Sequence, residues 1–217
     1  MAQEITAILF LGGEQGNDRL RSHQVNKENY DFGSDDIVCS RYDVSGNTKE
    51  ELQRAITDLQ NGNGPLEEKE GKRYAAYVFA DYSVDYSPYI IGFTCEKGKV
   101  AVELGAKSNV QREIHMHLPR FISSNPAIED DCTAEEARLF SHEMEHVKAF
   151  RLCSETLQDT LNTTHATGYG SSFWSAYIAA RYVLDETVNN ELDDSIQLAN
   201  NVNKAIDKIT SHGLGIG

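Results

Sequence analysis

The sequence predicts an α+β fold in which a small mixed or antiparallel sheet packs on one helix and a long C-terminal helix closes the other side. Three observations predict it. Residues 74–118 alternate aromatic and β-branched side chains with polar ones, the period-two pattern of half-buried strands. Helix-start signatures stand on either side of that stretch, at Thr48 and at Thr133. From Trp174 to Ile209, apolar residues recur at spacings of three, four or a heptad-like multiple, which places them on one helix stripe.

In chain order, residues 1–40 read as an irregular N-terminal segment, because Gly12-Gly13, Gly16-Asn17 and Gly33-Ser34 break every run. Residues 41–217 read as a single domain, long enough to bury a core without staples. Arg41 to Gly46 is a short strand ending in a turn. Thr48 and Glu51 have capping-box spacing and lead into Leu52, Ala55, Ile56 and Leu59 at helical intervals, until Asn61 to Pro65 stops the helix. Strands follow at Tyr74–Phe79, Tyr82–Tyr86, Val100–Leu104 and Glu113–Leu118, with Pro119 ending the sheet. Thr133 to Glu136 is a second capping box, opening a helix to about Leu157. Asn162 to Gly170, rich in turn formers, reads as a loop. The C-terminal third is one long helix or two collinear ones, stopped by Gly213.

Bulk properties narrow the function. The formal charge is −14, from 34 acidic and 20 basic residues. Phosphate backbones and anionic lipid surfaces are recognised by Lys and Arg, so nucleic-acid and membrane partners are excluded as expectations. No stretch approaches the 18 or so apolar residues of a membrane-spanning helix. Ala7 to Leu11 is short and follows Glu4 where a signal peptide carries Lys or Arg, so no signal peptide is read. Cys39, Cys95, Cys132 and Cys153 are too far apart for a cysteine zinc site; disulfides and free buried thiols both remain open.

The chemistry-bearing pattern is His142-Glu143-Met144-Glu145-His146. Residues four apart share a helix face, so His142 and His146 can offer two imidazoles to one ion. Zinc suits neutral nitrogen donors and tetrahedral geometry. Glu143 stands beside the pair, placed to take the proton of a water activated by the metal, which is the zincin arrangement. Glu145 is the competing carboxylate, but it shares a stripe with Arg138 and Lys148 that reads as solvated. Ala137, Phe140, Met144 and Val147 read as the core-facing stripe. Chance gives this motif in roughly one chain in fifty of this composition, and its mid-helix position after a strand-rich region improves on that. The bland alternative is an exposed His pair with Glu143 and Glu145 as salt-bridge partners.

A catalytic zinc needs a third protein ligand and an open position. His212, His165, Glu186 and Glu191 are the candidates. His115 and His117, on one face of a strand, are either a second metal pair or simply a polar face.

The order of landmarks resembles a bacterial family of predicted secreted zinc-dependent proteases, long catalogued as a domain of unknown function. The similar pieces are Tyr42 to Gly46 with Thr48, Glu51 and Leu52; Gly64-Pro65; Gly71 to Ala76; Cys95; Val100 to Leu104; Leu118 to Phe121; His142 to His146; and a closing Asp207, Thr210, His212, Gly213. They run from about residue 41 to residue 217. The resemblance implies that His212 is the third zinc ligand, with Asp207 and Thr210 as supporting or structural residues. It implies a secreted or periplasmic location, from which the missing signal peptide departs, as does a longer 162–170 loop that holds His165 and Tyr169.

The expectation is therefore a zincin-like, zinc-dependent hydrolase, a metallopeptidase acting on a peptide or protein substrate. Its ligands would be His142, His146 and His212, its base Glu143, and its substrate strand would pair with an edge at Asn109 to His117. The rival from another class is a non-catalytic zinc-binding or structural module with a closed metal site; a metal-free interaction domain is the second. The sequence sets no oligomeric state.

Overall fold

The computed structural model describes residues 3–9, 36–59, 68–69, 72–73 and 76–210. Its elements in order are β1 (Gln3–Leu9), β2 (Ile37–Ser45), α1 (Lys49–Asp58), β3 (Glu68–Lys69), β4 (Lys72–Arg73), β5 (Tyr77–Glu96), β6 (Lys99–Ile122), a 3₁₀ turn (Pro126–Ile128), α2 (Glu129–Thr163), β7 (His165–Gly170) and α3 (Phe173–Thr210). The fold is α+β with a mixed sheet and a long C-terminal helix. Most of the N-terminal segment expected to be irregular, residues 10–35, lies outside the described residues, and β1 and the start of β2 flank it.

Four short strands were expected between residues 74 and 118, and the chain instead forms two long ones. In β5, Val78, Ala80, Tyr82, Val84 and Tyr86 are all buried, one residue in two, as a pleated strand against a core requires. Lys97 and Gly98 both have positive φ, at 49° and 78°, the turn that suits a two-residue hairpin, and β6 returns beside β5. The sheet order is β1-β5-β6-β2, with β7 also pairing with β6. β2 runs parallel to β6, from Ile37 opposite Ile114 to Ser45 opposite Ile122. β7 runs antiparallel to it, from Val100 opposite Gly170 to Gly105 opposite His165. Within Asn109 to His117, Ile114 to His117 pair with β2, which is the outer strand there among the described residues, whereas Asn109 to Glu113 pair with neither β2 nor β7. For Ile114 to His117 the edge expectation moves to β2, because β2 begins four residues before the strand read from Arg41.

The chain divides into two compact units. The first contains Met1–Ile8, Asp81–Arg112 and Arg151–Ala199; the second contains Leu9–Ala80, Glu113–Phe150 and Asn200–Gly217. In the first unit, Val84, Tyr86 and Leu104 of the strands meet Leu161, Leu184 and Val188 of the helices in one core. The expected loop at 162–170 is here a strand, and its glycines explain both the misreading and the structure. A Cβ at Gly168 would lie 2.0 Å from the backbone nitrogen of Ala180, so only glycine lets β7 lie against α3. Gly168→Ala is expected to cost about 3 kcal/mol or more through overpacking against backbone, read as a lower urea midpoint; a midpoint unchanged from wild type would refute this close packing.

In the second unit, Val44, Leu52, Ile56, Phe121, Ile128 and Leu139 form a core. α1 starts as the sequence predicts: Thr48 Oγ1 accepts from Glu51 N at 3.1 Å, and the Glu51 carboxylate reaches back to Asn47 N at 2.7 Å. α2 starts earlier than predicted. Asn125 caps the preceding 3₁₀ turn by accepting from Ala127 N at 3.1 Å, Pro126 follows, and Glu129, Asp130 and Asp131 fill the first helical turn. Thr133 is already helix interior, its hydroxyl donating to the Glu129 carbonyl at 3.0 Å. Glu136 serves the tertiary fold instead: its carboxylate pairs with Arg41 of β2 and accepts from Phe121 N of β6 at 2.7 Å. The core-facing stripe of α2 also differs from the expected one. Ala137 is exposed, while Leu139, Glu143, His146, Val147 and Phe150 are buried. Two of the five are ionisable.

No helix among the described residues is long and apolar enough to cross a membrane.

Candidate metal centre

Burying Glu143 and His146 on a helix face costs free energy unless their polar atoms find partners. For His146 those partners come from the last turns of α3, within the same unit. His146 Nε2 lies 3.1 Å from Asp207 Oδ1 and 3.3 Å from His142 Nε2, and His142 Nε2 lies 3.6 Å from the same Asp207 oxygen. Glu143 Oε1 stands 3.9 Å from His142 Nε2. On its other side, His146 Nδ1 is 2.8 Å from Asn203 Oδ1.

These distances are compatible with a tetrahedral cation. With zinc–nitrogen and zinc–oxygen bonds near 2.0–2.2 Å, two ligand atoms of one tetrahedron lie about 3.3–3.6 Å apart. The three observed separations, 3.1, 3.3 and 3.6 Å, bracket that edge. Among the described residues, His142, His146 and Asp207 are the one group of three or more potential donors close enough to share an ion. Two nitrogen donors and a carboxylate suit zinc.

A proton can occupy the same gap. Burial disfavours the charged imidazole of His146, but Asp207, Glu143 and Asn203 outweigh it, and the pKa of His146 lies above the usual histidine value. A metal ion here would compete with the proton for one nitrogen. Tyr42 of β2 feels the same charge: burial first, then the Glu143 carboxylate, raises its phenol well above the ordinary range.

Glu145 is on the solvent side of α2, pairing with Lys148 at 2.6 Å. His165, Glu186 and Glu191 belong to the first unit, where His165 lies 3.6 Å from Glu103. Tyr169 is there too, 71% exposed. His117 stacks on Tyr77 at 4.4 Å and bonds to Ser40, while His115 stacks on Phe79 at 4.6 Å. His212 and Gly213 lie outside the described residues. Asp207, expected at most to support the site, is the donor the structure adds. All four cysteines are free, and burial pushes the Cys39 thiol up to about 11, away from nucleophile chemistry.

A family model described as "bacterial protein of unknown function (DUF922)" matches residues 39–213. The chain belongs to that family. The DUF922 segment runs from β2 past the end of α3, and so contains His142, Glu143, His146, Asn203 and Asp207 together. No curated protein and no solved structure is significantly similar to the chain.

Proposed function

We propose that the chain is a zinc-dependent hydrolase, a metallopeptidase of zincin type, with His142, His146 and Asp207 as metal ligands and Glu143 as general base. The observation that supports it best is the convergence of three ligand atoms at 3.1 to 3.6 Å with a buried carboxylate next to them. Three protein ligands among the described residues would leave a fourth position for water or substrate, which separates a catalytic site from a closed structural one. Zinc, when bound, would supply Lewis acidity, making a water more acidic and a carbonyl carbon more electrophilic.

The chain's own residues would carry the proton. Glu143 takes it from the attacking water as the new carbon–oxygen bond forms, and returns it to the leaving nitrogen as the carbon–nitrogen bond breaks. Its burial keeps bulk water from levelling that carboxylate. The outer strand β2, in the same unit, offers the backbone edge on which an extended peptide would add.

The reading is tested by elemental analysis of purified wild type and His146→Ala, followed by a peptide-substrate screen with and without a chelator. About one zinc per chain, lost in the variant, with chelator-sensitive cleavage, is the expected result. Wild type that takes up no zinc even after it is added back would remove the case for a metalloenzyme. Zinc bound without any cleavage would favour the closed structural module.

A further inference from the structure

We propose that Asn203 is a positioning residue for the metal: its amide fixes which ring nitrogen of His146 carries the proton and so holds the other ready to bind zinc. This rests on the zinc reading above and deepens it, because it assigns metal affinity to a residue that touches neither zinc nor substrate.

Asn203 is fully buried, at 0% exposure, in the last turns of α3. Its Oδ1 lies 2.8 Å from His146 Nδ1, while its own Nδ2 is buried with no hydrogen-bond partner among the described residues. The contact to His146 is the one hydrogen bond of this amide among the described residues. A neutral imidazole has one N–H and one lone pair. With Nδ1–H donating to Asn203 Oδ1, the lone pair stays on Nε2, the atom that faces His142 and Asp207. If the amide were reversed, Nδ2 would donate to Nδ1, the proton would move to Nε2, and that ligand would be lost. An apolar residue in its place would leave both tautomers populated. Outer partners of this kind orient the ring and raise its basicity.

The chain builds this with one repeated spacing. Asn203 and Asp207 are four residues apart on α3, as His142 and His146 are on α2. One face of α3 thus brings both a ligand and the lock on a second ligand.

The test uses full-length wild type, Asn203→Leu and Asn203→Asp. Zinc dissociation constants come from competition with a chromophoric chelator, and circular dichroism of the metal-free proteins serves as the fold control. Asn203→Leu is expected to fold without metal and bind zinc about 10–100-fold more weakly, the usual effect of losing an outer-shell partner. Asn203→Asp keeps the acceptor and is expected to bind at least as tightly as wild type. Wild-type affinity in a folded Asn203→Leu overturns the proposal. Should Asn203→Leu not fold, Asn203→Asp decides: a loss beyond tenfold overturns it, and retained affinity supports it. Wild type that binds no zinc overturns the zinc reading itself, an outcome distinct from equal binding by wild type and Asn203→Leu.

Discussion

Glu143→Gln is expected to bind zinc with wild-type stoichiometry and to lose about 10²–10⁴-fold in peptide hydrolysis, the usual worth of a positioned general base. Glutamine has the same shape, so the packing of a residue only 3% exposed is preserved. It cannot accept a proton at working pH, so the water loses its base. The substitution also removes a negative charge from a dry site, which should bring the Tyr42 phenol down toward its ordinary range. Glu145→Gln is the matched control. That carboxylate is half exposed and pairs with Lys148 at 2.6 Å on the solvent side, a kind of contact worth about 0–1 kcal/mol. Its loss should leave turnover within about twofold, since nothing ties it to the metal donors. Activity kept by Glu143→Gln, or lost in Glu145→Gln, would mean that the base has been assigned to the wrong carboxylate.

What the sequence could show, and what it could not, follows from which signals are local. α1 was legible because Thr48, Glu51, Leu52 and Ile56 carry cap and stripe within ten residues. The extent of α3 was legible from its apolar recurrence, but its buried face was not: Trp174, Ile178 and Tyr182 of the expected stripe are exposed, and Ala176, Ala180 and Leu184 are buried instead. β5 was only half visible: up to Tyr86 one face is buried, but Tyr89, Ile90, Ile91 and Phe93 are all exposed, so no alternation marks them. β7 was hidden because its glycines are read locally as turn formers, whereas they are there to admit α3 at backbone contact. The start of α2 was misplaced because Glu136 has a capping residue's spacing but a tertiary partner, Arg41. The metal motif itself is local, with two histidines and a glutamate in five positions. Asp207 and Asn203 are not: Asn203 lies 57 residues beyond His146, and only the fold brings α3 to it. The signal that was available is their own four-residue spacing on a predicted helix. Binary patterning then worked against it, because it assigns such residues to solvent while the structure buries Asn203 completely.

Asp207→Asn is expected to weaken zinc binding by more than about 100-fold, because a direct ligand should exceed the 10–100-fold typical of outer-shell partners. His212→Ala, in the same chelator competition, is expected to keep wild-type affinity. The same carboxylate governs the metal-free protein in the opposite sense of pH. His146 has its pKa raised in the fold, with Asp207 the strongest of the groups favouring the charged ring. A raised pKa means that the His146–Asp207 contact stabilises the fold fully below the unfolded histidine value, about 6.5, and loses that contribution as pH rises through the folded value. Zinc needs the neutral ring, so its affinity grows over the range in which the proton's contribution fades. Thermal melts of metal-free wild type should therefore lose stability on going from mildly acid to mildly alkaline pH, and zinc should restore it most at the alkaline end. Asp207→Asn should flatten both trends together. If it binds zinc as wild type does while His212→Ala does not, the third donor is His212 and the Asp207 contact is only an ion pair. The four-residue spacing on α3 would then have no catalytic meaning, and α3 would serve the site by packing alone.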